Sequence, residues 1–149
     1  MRAVLQRVRR AKVTIEGHTV GEIGKGLLVL LGVGQGDSPR QADELLEKII
    51  NLRIFEDEAG KLNLSLRDIQ GELMIISQFT LYADCRKGRR PSFTDAAPPE
   101  TAKSVYEYFV AQAKNSGLKA ASGVFQAMMD VELINSGPVT ILLDSSKKF

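Results

Sequence analysis

Leu73-Met74-Ile75-Ile76-Ser77-Gln78-Phe79-Thr80-Leu81-Tyr82-Ala83 decides the fold and holds the first sign of a site. Its opening four residues form a continuous apolar run, as expected of a strand buried on both faces, which we place at about residues 72–78. The run then changes into Ser77, Gln78 and Thr80, three hydrogen-bonding side chains within four positions. Polar groups at the end of a buried strand must find partners or face a cleft, because burying one unpaired costs roughly 1–3 kcal/mol. Directly beyond lies Asp84-Cys85-Arg86-Lys87-Gly88-Arg89-Arg90, with four cations in five positions. A buried strand that delivers polar groups beside a basic loop points to an anionic, phosphate-bearing substrate.

Upstream, residues 2–15 read as one long strand in which Ala11, Val13 and Ile15 alternate with Lys12 and Thr14. Val4 and Val8 fall in the opposite phase from Leu5 and Ala11, so we expect a bulge around Gln6-Arg7 or burial on both faces. Glu16-Gly17-His18-Thr19 reads as a hairpin turn into residues 20–23, and residues 27–33 as a further apolar strand. Ser38-Pro39-Arg40-Gln41 has the form of a helix start, with Ser38 as N-cap and Gln41 closing a capping box. Ala42, Leu45, Leu46, Ile49 and Ile50 follow at helical spacing, which predicts a helix over 39–53. Leu62, Leu64 and Leu66 alternate like a strand.

Downstream, three prolines between Pro91 and Pro99 mark a loop, and residues 101–115 form a second amphipathic helix stopped at Gly117. Phe125, Ala127, Met129, Val131 and Leu133 share one face if residues 124–134 are a strand. Asn135-Ser136-Gly137-Pro138 then reads as a turn into a last apolar strand, 139–143. The pattern predicts one α+β domain spanning residues 1–149, with two main helices and six to eight strands.

The 149 residues are 44% hydrophobic and 26% charged, an ordinary globular balance that argues against disorder. A net charge of +2 is too small for a general nucleic-acid coat, so any basic footprint is local. One Cys excludes an internal disulfide and fits a reducing cytoplasm. The opening has no apolar signal core, and no apolar run is long enough to span a bilayer, so we expect neither export nor a membrane partner.

Several chemistries lack their residues. The one His, His18, is expected in a hairpin tip, so a Ser–His–Asp or Cys–His arrangement would need that tip beside a nucleophile. No His/Cys/Asp/Glu cluster has ligand spacing, and no metal or cofactor is expected. The glycines at 24, 26, 32, 34 and 36 match neither phosphate-loop pattern and read as turns. Arg86, Lys87, Arg89 and Arg90 are either a solvated surface or a phosphate contact. Gly137-Pro138 is either a hairpin turn or a cis peptide whose carbonyls point in fixed directions, since X-Pro bonds are where cis peptides occur.

Two motifs together resemble a known family. Ser77-Gln78-Phe79-Thr80-Leu81 is similar to the S-Q-F-T-L motif of D-aminoacyl-tRNA deacylases, and Asn135-Ser136-Gly137-Pro138-Val139-Thr140 to their N-x-G-P-x-T motif. The opening Met1–Val8 and the segment Ala83–Phe93 resemble the same family. The resemblance implies a mixed or antiparallel, barrel-like sheet with two main helices. It also implies a homodimeric hydrolase acting on D-aminoacyl-tRNA and on mischarged glycyl-tRNA, with tRNA as partner and no role for DNA, and the missing signal and single Cys place it in the cytoplasm. By the same resemblance Ser77, Gln78, Phe79 and Thr80 are catalytic. Gly137 and Pro138, as a cis pair inserted into the other subunit, select substrate chirality. Arg7 holds the Gly-Pro segment, and Phe125 and Met129 wall the adenosine pocket. With its one His expected in a hairpin tip, the chain favours hydrolysis assisted by a backbone N–H near Phe79–Thr80 and by the ribose 2′-hydroxyl, with Thr80 positioning rather than attacking. Two other readings stand beside it: a non-catalytic RNA-binding module, and an esterase for small acyl esters.

Overall fold

The structure, a computed structural model, describes residues 1–148. In chain order it contains β1 (Arg2–Ile15), β2 (His18–Ile23), β3 (Gly26–Gly32), α1 (Pro39–Asn51), β4 (Phe55–Glu56) and β5 (Leu62–Leu64). After these come β6 (Glu72–Ser77), a 3-10 turn (Phe79–Tyr82), α2 (Pro99–Asn115), β7 (Ala120–Ser122) and β8 (Asp130–Asp144). The polar end of the central run is therefore not strand: β6 stops at Ser77, and the chain folds into the 3-10 turn.

β6 runs parallel to β3, with Leu27 beside Leu73 and Leu31 beside Ser77. Successive side chains on a strand point to opposite faces, and here both faces are covered. Leu27, Val29, Leu31, Leu73 and Ile75 pack against Leu45 and Ile49 of α1 and Val105 and Phe109 of α2. Leu28, Met74 and Ile76 face inward onto Val8, Ala11, Val13 and Ile23. This two-layer burial is why the run has no polar alternation.

The sheet order is β2-β1-β3-β6-β7, with β8 on the opposite side of β1. β1 is long enough to pair β3 along its first half and β2 along its second. The sheet curls until β2 approaches β7, so closely that a Cβ on Gly21 would stand 3.1 Å from the Ser122 carbonyl oxygen. A barrel-like sheet with two helices outside is the result.

The phase change in β1 has two sources. Between Gln6 and Val8 it is β8 that carries extra residues, passing from Thr140 to Asn135. The extra residue of β1 itself lies between Val8 and Ala11, opposite Asn135 and Leu133, three residues later than expected. That bulge returns Val8, Ala11 and Val13 to one inner face and leaves Arg9 and Arg10 both exposed.

Two expectations need correction. Residues 124–129 are loop, because β7 takes the remaining edge of β6 and the chain must cross over to reach β1. Asn135-Ser136-Gly137-Pro138 is not a hairpin turn. Both flanking segments pair antiparallel with the same neighbour, β1, so the tetrapeptide is a bulged excursion within one strand. Smaller differences are α1 ending at Asn51 and His18 opening β2 opposite Ile15.

The Ser38 N–H donates to Gln41 Oε1 at 3.0 Å, the return half of the capping box. Ser38→Ala removes the hydroxyl that bonds the same oxygen at 2.6 Å. It is expected to cost about 1 kcal/mol, read as a Tm lower by roughly 2–4 °C for a chain of this size.

Candidate active site

The end of β6 opens into a cleft of about 900 Å³. Ser77, Gln78 and Phe79 form one side, Phe125 and Met129 another, and Phe93 lies at the margin. Phe79 and Phe93 meet edge to face at 5.0 Å, and Phe125 leans on Tyr106 at 5.7 Å. Tyr106 anchors this wall from beneath: its hydroxyl donates to the Ile75 carbonyl at 2.9 Å. Burial, the dominant influence, pushes its phenol up to about 12, so it stays a donor at neutral pH. The cleft is thus apolar-walled with polar groups at one end, a form suited to a flat, partly apolar ligand such as a nucleobase.

The polar end is built by the 3-10 turn. Gln78 N–H is spent on the Leu31 carbonyl at 2.8 Å, which fixes the turn to β3. The first bond of the turn runs from Leu81 N–H to the Gln78 carbonyl at 3.3 Å. The N–H groups of Phe79 and Thr80 precede it and have no place in the turn's own ladder. Phe79 lines the cleft and Thr80 follows it on the turn, so two adjacent backbone N–H groups stand outside the turn's ladder there. The Gln78 side-chain amide donates to Thr80 Oγ1. Among the described residues no carboxylate or imidazole hydrogen-bonds to that hydroxyl, and His18 Nδ1 instead sits on the Glu16 carbonyl at 3.0 Å.

Sequence reading missed what seats the turn. Arg2 Nη1 donates to the Leu81 carbonyl at 2.9 Å, its guanidinium lies 4.5 Å above the Tyr82 ring, and its Nε reaches Asp144 at 3.2 Å. Burial first, then the charges of Asp37 and Asp144, hold the Tyr82 phenol far above its ordinary range, so it remains protonated. Gly34 lies against that ring: a Cβ there would be 2.5 Å from Tyr82 Oη. Gly34, read only as a turn residue, is a close-approach glycine; Arg2 carried no signal beyond a charge in a basic strand.

The second motif is strapped onto β8. Asn135 Oδ1 accepts from Val139 N–H at 2.9 Å, its amide donates to Gln6, and Thr140 Oγ1 donates to Gln6 Oε1 at 2.6 Å. Gly137-Pro138 is a cis peptide, and Gly137 has φ +128°. Arg7 is only 8% exposed. Its guanidinium donates to the Ser136 carbonyl at 2.8 Å and the Ile54 carbonyl at 2.9 Å, with Glu56 at 3.7 Å.

The structure therefore gathers Ser77, Gln78, Phe79, Phe125 and Met129 around one cleft, with Thr80 on the turn beside it. Gly137, Pro138 and Arg7 do not line that cleft. Neither do Arg86, Lys87, Arg89 and Arg90, which are exposed. Arg86 is held by Asp84 through two hydrogen bonds, at 2.8 and 2.7 Å, and draws that carboxyl down to about 2.

A family model described as D-Tyr-tRNA(Tyr) deacylase matches residues 4–144. Among curated relatives, the D-aminoacyl-tRNA deacylase of Thermosipho africanus (strain TCF52B) is 64% identical over 149 residues, covering all of both chains. That of Clostridioides difficile (strain 630) is 61% identical over the same span, again covering all of both chains. Among solved structures, the c-Myc DNA Unwinding Element Binding Protein superposes with a TM-score of 0.91 at 42% identity, covering 97% of this chain and 98% of that one. A probable eukaryotic D-amino acid tRNA deacylase gives a TM-score of 0.82 at 15% identity, covering 95% and 97%, a likeness of fold alone.

Proposed function

The chain belongs to the D-Tyr-tRNA(Tyr) deacylase family, and on that premise we propose that it hydrolyses the ester joining a D-amino acid to the terminal adenosine of tRNA. The glycyl ester is also a substrate, the L-aminoacyl ester is refused, and the work is translation proofreading in the cytoplasm. The observation that carries this reading is the apolar cleft that Phe125 and Met129 share with Ser77, Gln78 and Phe79, where the 3-10 turn begins.

The adenosine lies between Phe125 and Met129, which brings the ester carbonyl to the turn. Water adds to the carbonyl carbon, and negative charge gathers on the carbonyl oxygen, where the two backbone donors receive it. One such donor is typically worth ~10²–10³ in rate. The tetrahedral species collapses by breaking the bond to the ribose oxygen, which takes up a proton; free amino acid and tRNA leave. An unactivated hydroxyl needs a base within about 2.6–3.2 Å to attack, and Thr80 has instead the amide of Gln78. Thr80 accordingly positions, and the vicinal 2′-hydroxyl of the substrate helps to place the water.

Chirality is selected by Gly137 and Pro138 of a second copy. In one chain these residues stand apart from the cleft, so they reach a substrate only in trans. β8 supports such pairing: among the described residues its outer edge has no partner along a 15-residue strand, and Leu133, Ile134 and Leu142 are exposed. A long, partly apolar free edge is an association site unless it is covered. In the homodimer the Gly137 and Pro138 carbonyls sit against the substrate Cα, where an L side chain would collide and a D side chain points to solvent. The side chain is never gripped, which explains tolerance of many D-amino acids and of glycine.

Deacylation of matched D-tyrosyl-tRNA and L-tyrosyl-tRNA without added metal tests this directly. Fast release from the D ester and almost none from the L ester is expected; equal release would leave an esterase without the chiral gate. Tight tRNA binding without release would mark an RNA-binding module. Thr80→Ala is expected to retain turnover within about tenfold, the loss of one positioning contact. Complete loss with normal tRNA binding would return Thr80 to the role of nucleophile.

A further inference from the structure

Beside the Gly-Pro segment lies a second groove, of about 420 Å³. Arg7, Arg9 and Lys25 line it with Phe55, Glu56 and Ser136. Three cations face one carboxylate, and Glu56 is already within 3.7 Å of Arg7. The bulge between Val8 and Ala11 is what supplies Arg9: in a regular strand one of two consecutive residues turns inward, whereas here Arg9 and Arg10 both face out. Lys25 comes from the break between β2 and β3, with its backbone carbonyl fixed by Glu72 N–H at 3.0 Å. Among the described residues neither the Arg9 nor the Lys25 side chain has an ion-pair partner, whereas Lys12 is held by Glu132 at 2.8 Å.

We propose that this groove binds the phosphodiester backbone of the substrate's single-stranded 3′ end while the terminal adenosine occupies the partner's cleft. The inference rests on the deacylase reading above. Where the Gly137-Pro138 segment of one subunit meets the cleft of the other, the adjoining groove is carried to the mouth of that cleft. The nucleotides preceding the terminal adenosine leave the cleft there, each with one negative charge. Arg7, anchored on two carbonyls, fixes charge at the groove floor, and Arg9 and Lys25, on free stems, follow the backbone. Such contacts position the strand without reading its bases, which suits an enzyme acting on many tRNAs.

The test is the salt dependence of kcat/KM for D-tyrosyl-tRNA, compared between wild type and the double variant Arg9→Gln, Lys25→Gln. Each phosphate contact on a single strand contributes about −0.7 to the slope of log affinity against log salt. The double variant is expected to flatten that slope by about 1.4. It should also narrow the preference for D-tyrosyl-tRNA over D-tyrosyl-adenosine, which has no phosphate, by roughly tenfold through KM. Lys114→Gln, in the last turn of α2, is expected to keep the wild-type slope. An unchanged slope and preference in the double variant, with wild type active, overturns the groove and leaves the deacylase reading standing. A wild type that releases nothing from D-tyrosyl-tRNA overturns both. A slope flattened equally by Lys114→Gln would reduce the effect to net charge and likewise overturn the groove.

Discussion

Gly137→Ala is expected to lower kcat/KM for the D-aminoacyl ester by about 10²-fold, the usual penalty when reacting groups are displaced by an ångström. It should also shrink the D-over-L ratio more than tenfold. Gly137 has φ +128°, a conformation that costs an L residue about 1–3 kcal/mol. The added Cβ would lie 2.7 Å from Arg7 Nη2 and 3.0 Å from Val139 Cγ2. Neither can retreat easily. Arg7 is buried and held by two carbonyls 47 and 129 residues away in sequence, and Val139 is tied through its N–H to Asn135. The segment itself must shift, and the carbonyls proposed to exclude an L side chain shift with it. Arg7→Lys offers a second route to the same result, because one ammonium cannot reproduce a fork that spans Ser136 and Ile54. Both variants should lose selectivity in the same direction when matched D and L esters are assayed. Undiminished selectivity in a folded Gly137→Ala dimer would remove Gly137 from the substrate's neighbourhood.

Features set by local chemistry were legible in the sequence. The Ser38-Pro39 helix start and the change to polar residues at Ser77 depend on neighbours in the chain and stand where their residues place them, and the unbroken apolar runs of β3 and β6 announce their burial on both faces. Features set by pairing were not. Phe125, Ala127 and Met129 alternate as a strand does, yet β7 already holds the remaining edge of β6, and the chain must cross from there to β1. They lie instead on the loop that lines the cleft, so their alternation marks no strand. The Gly-Pro segment reads as a hairpin because Asn-Ser-Gly-Pro is turn chemistry. Only the register shows that both flanks return to the same strand. Arg2, Asp37 and Tyr82 went unnoticed as a seat for the 3-10 turn because they lie 35 or more positions apart, and sequence spacing holds no record of that meeting.

That seat is open to a direct test. Gly34→Ala should reduce kcat about 10²-fold with little change in KM, since a displacement of about 1 Å at the reacting groups is enough. The new Cβ would fall 2.5 Å from Tyr82 Oη, 2.6 Å from Cζ and 2.8 Å from Cε1. The Gly34 backbone cannot yield cheaply: its N–H donates to Asp37 Oδ2 at 2.7 Å, and the residue bridges to Ala96. The ring must move, and it is confined by Arg2 on one face and Asp37 at its hydroxyl. Tyr82 closes the 3-10 turn, so its displacement passes to Phe79 and Thr80, whose N–H groups are proposed to meet the oxyanion. Phe125 and Met129, on a separate loop, are untouched, and binding of the adenosine should persist. A fall in affinity with kcat intact would mean that the turn contributes to binding but not to the chemical step. The split between kcat and KM therefore decides whether the chemistry resides on the turn or on the cleft walls.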